Sequence, residues 1–239
     1  MFSVFCFLPF ARRKAGAVNV TCGGRAFPGY RRGKALMEEN MRKKSHISLA
    51  KYIVDSLEEQ DLEKHKKAFY LGSILPDCKP SFFTVKHEIE GTFPKFQQDL
   101  KRLLELQRTA QINMRVFYRG LGEMIHYLAD YFTFPHNSNY MGTLKDHCIY
   151  EKHLKDSLKD YIQSGEAEKN RLYIRKPASN LGSAEAICDF IKRAHQAYMK
   201  LKNTVEGDCR HIVSLCQQVV EAVILLIHKE NALESAVAA

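Results

Sequence analysis

Residues 117–132 read FYRGLGEMIHYLADYF, a stretch in which apolar side chains cover most of a helical circumference. Such a helix is typically buried among other helices, because a surface helix has a wide polar face. The remaining polar residues share one narrow strip: Arg119, Glu123, His126 and Asp130. The segment predicts a central helix that lines a cleft, although a short surface strip with an Arg119–Glu123 ion pair would give the same pattern.

Helical periodicity continues on both sides of this segment, and alternating strand patterns are scarce. We predict helices near residues 45–60, 62–72, 94–115, 117–132, 144–164, 184–203 and 207–229, with Ser45 as the first N-cap. The turn signals between them are Pro76, Pro80, Gly91, Pro94, Pro135, Gly165, Pro177 and Gly207. The predicted fold class is all-α, a single-domain bundle of several helices.

The composition indicates a globular protein with an unusual N-terminal segment. Of the 239 residues, 45% are hydrophobic and 26% are charged. Residues 1–45 contain 10 Lys and Arg against two Glu, so most of the net charge of +9 lies there and the rest is nearly balanced. We expect residues 1–44 to be a basic leader, disordered or outside the fold, residues 45–230 to form the domain, and residues 231–239 to be a tail. A nearly neutral body predicts no nucleic-acid partner.

Three other features of the chain argue against a membrane protein, a secreted protein and a disulfide-rich or thiolate-zinc protein. The longest apolar stretch, residues 219–227, is interrupted by Glu221 and is far shorter than the roughly 20 residues of a membrane span, so we predict no transmembrane segment. The N-terminal apolar run precedes its basic residues, the reverse of a secretory signal, which predicts a cytoplasmic location. Seven cysteines without a C-x-x-C pair argue against a disulfide framework or a thiolate zinc site.

The helix predicted over residues 144–164 contains a second unusual pair. His147 and Glu151 occupy two positions of its apolar seam, one helical turn apart. A buried imidazole and a buried carboxylate are costly unless they are paired or bind metal. They therefore either hydrogen-bond each other or are metal ligands, and His126 and Asp130 form a second pair with the same spacing.

Candidate ligands also occur in loops and at the ends of helices. The full set is His46, Asp77, His87, His126, Asp130, His136, His147 and Glu151. Imidazole and carboxylate ligands without thiolates suit zinc in a hydrolytic site. One zinc needs only three or four protein groups, so eight candidates indicate a cluster of ions, as used in phosphoester hydrolysis.

The motifs that contain these residues resemble the zinc-dependent phospholipase C family, which is more distantly related to the S1/P1-type zinc nucleases. The similar segments are His46, residues 71–77 (LGSILPD), His87, residues 122–130 (GEMIHYLAD), Pro135-His136 and residues 147–151 (HCIYE). They span about half the chain. The resemblance implies an all-α domain of the phospholipase C/P1 nuclease type, and a phosphoester substrate, with a phospholipid at a membrane surface as the first expectation.

The resemblance also implies two or three zinc ions. The first would be held by Asp77, His87, His126 and Asp130. The second would be held by His136, His147 and Glu151, and part of a third by His46 and a bridging Asp130. Asp77 would assist the attacking water, and Asp130 would act with it as a catalytic residue.

Two departures from the family pattern affect these expectations. Secreted members chelate the third zinc through an N-terminal Trp, and this chain contains no Trp. The β domain that docks some family toxins on membranes has no counterpart here. The third site, the headgroup specificity and the oligomeric state are therefore left open.

Other functions compete with a phospholipase C. An S1/P1-like nuclease would use the same metals, and a non-catalytic, metal-stabilised helical protein would keep the same fold. A di-iron bundle needs a second copy of the E-x-x-H motif at Glu123 and His126, and none is present on a suitable helix. An H-E-x-x-H peptidase is excluded because Gly91 stands where the motif that begins at His87 requires its second His.

Overall fold

The structure is a computed structural model, and it describes residues 28–78, 87–109, 112–174, 181–202 and 204–238. Within these ranges the regular structure is entirely helical, which confirms the all-α prediction. The helices are α1 (Pro28–Leu57), α2 (Gln60–Lys64), α3 (Lys66–Cys78), α4 (Ile89–Arg108), α5 (Met114–Tyr131), α6 (Leu144–Gln163), α7 (Glu166–Ile174), α8 (Ala184–Tyr198) and α9 (Val205–Ala238). A 3-10 helix, Phe134–His136, lies between α5 and α6.

Helix α5 is the central helix of the bundle, as its sequence predicts. It packs most extensively on α3 and also contacts α4 and α9. Phe117, Leu121, Ile125 and Leu128 are fully buried. Each buried side chain of this size stabilises the fold by about 1.5–3 kcal/mol.

Helices α3 and α5 approach each other closely through two glycines. A Cβ atom on Gly72 would lie 2.0 Å from the carbonyl oxygen of Arg119, and one on Gly122 would lie 2.3 Å from that of Phe69. Real Cβ atoms do not approach backbone atoms this closely, so only glycine permits the contact. The two helices are thereby held at a distance that lets short side chains meet between them.

Helix α9 packs against α1, α4, α5, α6, α7 and α8. Among the described residues, its segment Val205–Lys229 is the one with the length and hydropathy of a membrane span, with a mean hydropathy of 1.6. In the structure 67% of its most apolar window is buried by the other helices, as in a core helix. The absence of a transmembrane segment stays a prediction.

The ends of the chain differ from the sequence expectation. Helix α1 begins at Pro28, so the prediction of Ser45 as an N-cap is wrong. Residues 34–44, KALMEENMRKK, are rich in strong helix formers, which an interpretation by charge alone overlooks. Helix α9 continues to Ala238 through the predicted tail. Residues 1–27 lie outside the described residues, and the domain limits stay a prediction.

Several predicted turns and boundaries are also wrong. Pro76, Gly91 and Pro94 lie inside helices. Pro76 removes one helical hydrogen bond, the one that its N–H would donate to the Gly72 carbonyl, and α3 ends two residues later. Helix α7 was not predicted, and the helix expected over residues 94–115 is Ile89–Arg108. Pro80 and Pro177 lie outside the described residues.

Candidate metal centre

The eight candidate ligands come from six parts of the fold. Helix α1 contributes His46, α3 contributes Asp77 near its end, and His87 immediately precedes α4. Helix α5 contributes His126 and Asp130, the 3-10 helix contributes His136, and α6 contributes His147 and Glu151. Seven of the eight are buried, and His147 is partly buried.

The structure brings these residues together in three groups of ligand atoms. Within each group, one ligand atom per residue lies within 4.8 Å of the others. The groups are His46–His126–Asp130, Asp77–His87–His126 and His136–His147–Glu151. The first two groups share His126, whereas the third is built on α6 and the 3-10 helix.

A hydrogen bond fixes how His126 faces its neighbours. Its Nδ1–H donates to the backbone carbonyl of Ser73 over 2.9 Å. In the neutral ring Nε2 therefore carries a lone pair, as in a metal-binding histidine oriented by a backbone acceptor. That lone pair faces Asp130 Oδ2 at 3.3 Å and Asp77 Oδ1 at 3.6 Å. Acceptors that face one another in a buried place require a proton or a cation between them.

The spacing of these atoms agrees with zinc ligation. Ligands placed tetrahedrally about 2.0–2.1 Å from zinc lie about 3.3–3.4 Å from one another. Besides the contacts of His126, Nε2 of His46 lies 3.4 Å from Oδ1 of Asp130. The His46 and His126 rings stack with their centroids 4.0 Å apart. His46 thus faces one oxygen of Asp130 while His126 faces the other.

His87 and Asp77 complete this side of the centre. Nδ1 of His87 lies 2.8 Å from Oδ2 of Asp130 and 3.2 Å from Nε2 of His126. The second oxygen of Asp77, Oδ2, is buried and has no hydrogen-bond partner among the residues that the structure describes. Leaving a buried carboxylate oxygen without a partner is costly. A metal ion or a water molecule held there would satisfy it, so the residues present fit a metal centre.

The third group converges on one carboxylate oxygen. Nε2 of His147 lies 2.8 Å and Nε2 of His136 lies 3.2 Å from Oε1 of Glu151. Helix α6 is positioned by a capping box in which Thr143 and Asp146 exchange hydrogen bonds. The hydrogen bond between His147 and Glu151 that the sequence left as an alternative is therefore present, but His136 joins it from another element.

The charges of the centre favour bound cations. Burial disfavours the ionised form of Asp130, but His136 and His126 hold the pKa of its carboxyl well below the usual range. Burial, followed by the neighbouring His126, lowers the pKa of His46. The ionised carboxylate of Asp130 and the neutral imidazole of His46 are in the protonation states that bind metal. Burial opposes the charged form of His126, but Asp130 raises the pKa of this imidazole, so a bound zinc ion would take the place of its proton.

A small cavity separates the first group from the third. It measures about 30 Å³ and is lined by His46, Asp130, His136 and Glu151. A water molecule needs at least about 10–15 Å³, so the cavity has room for one. Its remaining walls are largely apolar and include Leu49, Leu154, Leu158 and Ile212.

A larger cleft of about 550 Å³ lies between α4 and α5. His87 and Tyr127 line it, and the Tyr127 ring packs edge-on against His87 and His126 with centroids 5.0 and 5.6 Å apart. The apolar lining consists of Phe96, Leu103, Leu106, Val116 and Met124. Glu123 also lines the cleft and Arg119 is exposed, so the polar strip of α5 runs from the buried centre to the surface.

The sequence analysis did not identify Asp208, a buried residue that hydrogen-bonds to the segments carrying His136 and Glu151 of the third group. Asp208 of α9 is fully buried and accepts hydrogen bonds of 2.8 Å from the Phe134 N–H, the Tyr150 hydroxyl and the Tyr198 hydroxyl. Phe134 begins the 3-10 helix that ends at His136, and Tyr150 precedes Glu151. The available signal is an acidic residue in the first turn of α9, one position before Cys209, which is the first buried apolar residue of that helix.

The remaining histidines, His65, His153, His195, His211 and His228, lie outside the three groups. His195 is buried, and its Nε2 lies 2.8 Å from the side-chain oxygen of Asn137. Asn137 follows His136 and donates to the carbonyls of Tyr131 and Thr133. His195 therefore supports the loop that positions His136.

Comparison with known proteins gives one match. The family model described as zinc-dependent phospholipase C matches residues 45–205. This range contains all eight candidate ligands. No curated protein and no solved structure matches the chain.

Proposed function

The chain belongs to the zinc-dependent phospholipase C family, and we propose that it is a zinc-dependent phosphodiester hydrolase that acts on phospholipids. The observation that supports this proposal most strongly is the convergence of imidazole and carboxylate groups from six parts of the fold on one buried centre. Zinc, when bound there, supplies a Lewis acid and lowers the pKa of its water to about 7.

The geometry suggests how the ligands divide among the ions. His126 has one available lone pair and can bind only one ion, which we assign to the site with Asp77 and His87. Asp130 directs Oδ2 toward that site and Oδ1 toward His46, so it suits a bridging role. His136, His147 and Glu151 form a second complete site, whereas His46 and Asp130 provide only part of a third.

Asp77 is the proposed proton acceptor in the reaction. Its Oδ1 faces His126, and its Oδ2 has a free acceptor position. The attacking water would transfer its proton to Asp77 as its oxygen bonds to phosphorus. The bond between phosphorus and the ester oxygen would then break, and that oxygen would leave as the alcohol with the proton returned by Asp77. General-base assistance of this kind contributes about 10²–10⁴-fold to a rate.

The cleft between α4 and α5 supports a lipid as substrate. It begins at His87, and its wall combines an apolar part, formed by Phe96, Leu103, Leu106, Val116, Met124 and Tyr127, with the polar and charged side chains of Thr92, Lys95, Asp99, Arg102 and Glu123. A phosphoester held at the metals could place an apolar alcohol portion there, where it would gain roughly 25 cal/mol per Å² of buried apolar surface. A nucleotide would not require such a wall, so we rank the nuclease alternative second.

The proposal is tested with the purified protein by elemental analysis and by hydrolysis assays. We expect at least two zinc ions per chain and hydrolysis of phosphatidylcholine that exceeds hydrolysis of single-stranded DNA. Asp77→Asn should lower kcat by about 10²-fold or more. Asp160→Asn, an exposed carboxylate on α6, is the matched control and should retain wild-type rates.

Three results would contradict the proposal. Zinc-loaded protein without activity on any phosphodiester would favour the non-catalytic alternative. Faster cleavage of DNA than of phospholipid would favour the nuclease. Full activity of Asp77→Asn would exclude Asp77 as the proton acceptor.

A further inference from the structure

Helices α1 and α6 form a groove of about 590 Å³ whose lining is dominated by lysines. The five lysines are Lys43, Lys44, Lys51, Lys155 and Lys159. They come from two segments about a hundred residues apart, so the nearly neutral charge of the body gives no indication of them. The structure thus reveals a basic surface that the sequence totals conceal.

The positive charge of this groove is only partly neutralised. Asp156 is the one acidic residue in its described lining, and it pairs with Lys155 at 2.9 Å. Lys44, Lys51 and Lys159 make no ion pair with any residue that the structure describes. Like charges gathered in one groove repel one another, so a bound anion would stabilise them.

The groove lies beside the metal centre. The same two helices contribute His46 and Glu151 to the small cavity between the metal groups. Lys155 is one turn beyond Glu151, and Lys43 is about one turn before His46. An anionic surface held by these lysines would therefore lie against the part of the fold that contains the candidate metal sites.

Two exposed apolar residues lie at the start of α6. Met141, in the loop before α6, is 93% exposed, and Leu144, the first residue of α6, is 73% exposed. Leu144 and Lys155 are eleven residues apart, about three helical turns, so they lie on the same side of the helix. This side of α6 combines the exposed Leu144 at one end with Lys155 farther along.

We infer that the lysine groove and the exposed residues Met141 and Leu144 bind the surface of an anionic phospholipid bilayer. The lysines contact headgroup phosphates, while Met141 and Leu144 enter the boundary of the acyl chains. The choice of a lipid as partner rests on the proposed function. A soluble polyanion would account for the lysines but would leave two large apolar side chains in water, whereas a bilayer accommodates both.

The inference is tested by co-sedimentation of the zinc-loaded protein with sucrose-filled vesicles on ice. Vesicles of phosphatidylcholine with 30% phosphatidylglycerol should bind at least tenfold more tightly than pure phosphatidylcholine vesicles, and the preference should decrease as salt is raised. Lys51→Gln/Lys159→Gln should lower the affinity for the anionic vesicles at least tenfold, because each lysine near an anionic surface contributes severalfold.

A matched control variant tests whether the affinity depends on where the lysines lie or only on how much positive charge is removed. Lys200→Gln/Lys202→Gln removes the same charge from exposed positions after α8 and should bind like the wild type. Leu144→Ser should weaken binding to both kinds of vesicle. Thermal unfolding followed by circular dichroism verifies that the variants are folded.

The inference is wrong if the wild type does not prefer anionic vesicles, or if the groove and control variants lose affinity equally. Displacement by millimolar glycerol 3-phosphate would instead assign the groove to a free phosphate compound, and tighter binding to single-stranded DNA would assign it to nucleic acid. Asp130→Asn, which the proposed function makes inactive, should bind vesicles normally. Vesicle binding without hydrolysis would refute the proposed function alone.

Discussion

At the scale of single residues, Asp208 shows how a group outside the metal centre can control it. Burial raises the pKa of this carboxyl, and three donors from three elements converge on its oxygens. Two of the donors belong to the segments that contain His136 and Glu151. Asp208 is therefore a positioning residue for the third ligand group.

We predict that Asp208→Asn destabilises the fold and weakens the third metal site. The amide NH₂ would face the Phe134 N–H or a tyrosine hydroxyl, leaving a buried donor unsatisfied at a cost of about 1–3 kcal/mol. Urea unfolding should show a loss of this size, and elemental analysis after dialysis should show about one zinc fewer per chain.

Gln217→Ala is the control for that prediction. Gln217 is also a buried polar residue of α9, but its amide donates to Ser56, away from the third group. The change should lower stability and leave the zinc content unchanged. Equal zinc loss in both variants would mean that Asp208 acts only through general stability.

At the scale of elements, the contact between α3 and α5 sets the geometry of the first two ligand groups. The close approach at Gly72 and Gly122 brings the Ser73 carbonyl to Nδ1 of His126 and places Asp77 beside Nε2. Small residues at a helix crossing thereby determine whether ligands on two helices can share an ion.

We predict that Gly122→Ala separates these helices. The new Cβ would lie 2.3 Å from the Phe69 carbonyl oxygen and 2.9 Å from the Ser73 nitrogen, so the backbone must move. Overpacking of this kind costs about 1–3 kcal/mol. Chemical unfolding should show that loss, and competition with a zinc chelator should show weaker binding.

Gly91→Ala tests whether the loss of stability and of zinc affinity arises specifically at the crossing of α3 and α5. Gly91 also lies in a helix, but a Cβ there meets no atom within 4 Å. That variant should be neutral or more stable by up to about 1 kcal/mol, because alanine is a better helix former. If Gly122→Ala behaved in the same way, the crossing would not determine the metal geometry.

At the scale of the whole molecule, the metal centre lies where several helices meet, so bound ions should stabilise the entire bundle. Helices α1, α3, α5 and α6 all contribute ligands. Without bound cations, only the contacts among the buried carboxylates and imidazoles would offset the free-energy cost of burying them. Metal binding and global stability are therefore expected to be coupled.

We predict that removal of zinc lowers the melting temperature. A ligand present at 1,000 times its Kd stabilises the native state by about 4 kcal/mol, which corresponds to roughly 8–16 °C for a chain of this size. Differential scanning calorimetry with and without chelator measures the shift, and added zinc should restore it. An unchanged melting temperature would show that the sites are empty or do not join the helices.

The sequence by itself determined the all-α class and the set of candidate ligands. Both depend on local spacing, because a helix places residues three and four positions apart on one face, as with His126 and Asp130 or His147 and Glu151. Helix ends were less predictable: the segment before Ser45 is helical because its residues are strong helix formers, and Pro76 lies within α3, two residues before its end, where it removes one helical hydrogen bond.

Only the tertiary structure decided which groups meet. Residues from distant segments meet in each of four features. These are the two ligand groups that share His126, the two directions of the Asp130 oxygens, the hydrogen bonds of Asp208 and the lysine groove. No periodicity along the chain encodes such contacts, because they depend on the distance and angle at which helices cross. Here these are set by the glycines between α3 and α5 and by the burial of α9 among its neighbours.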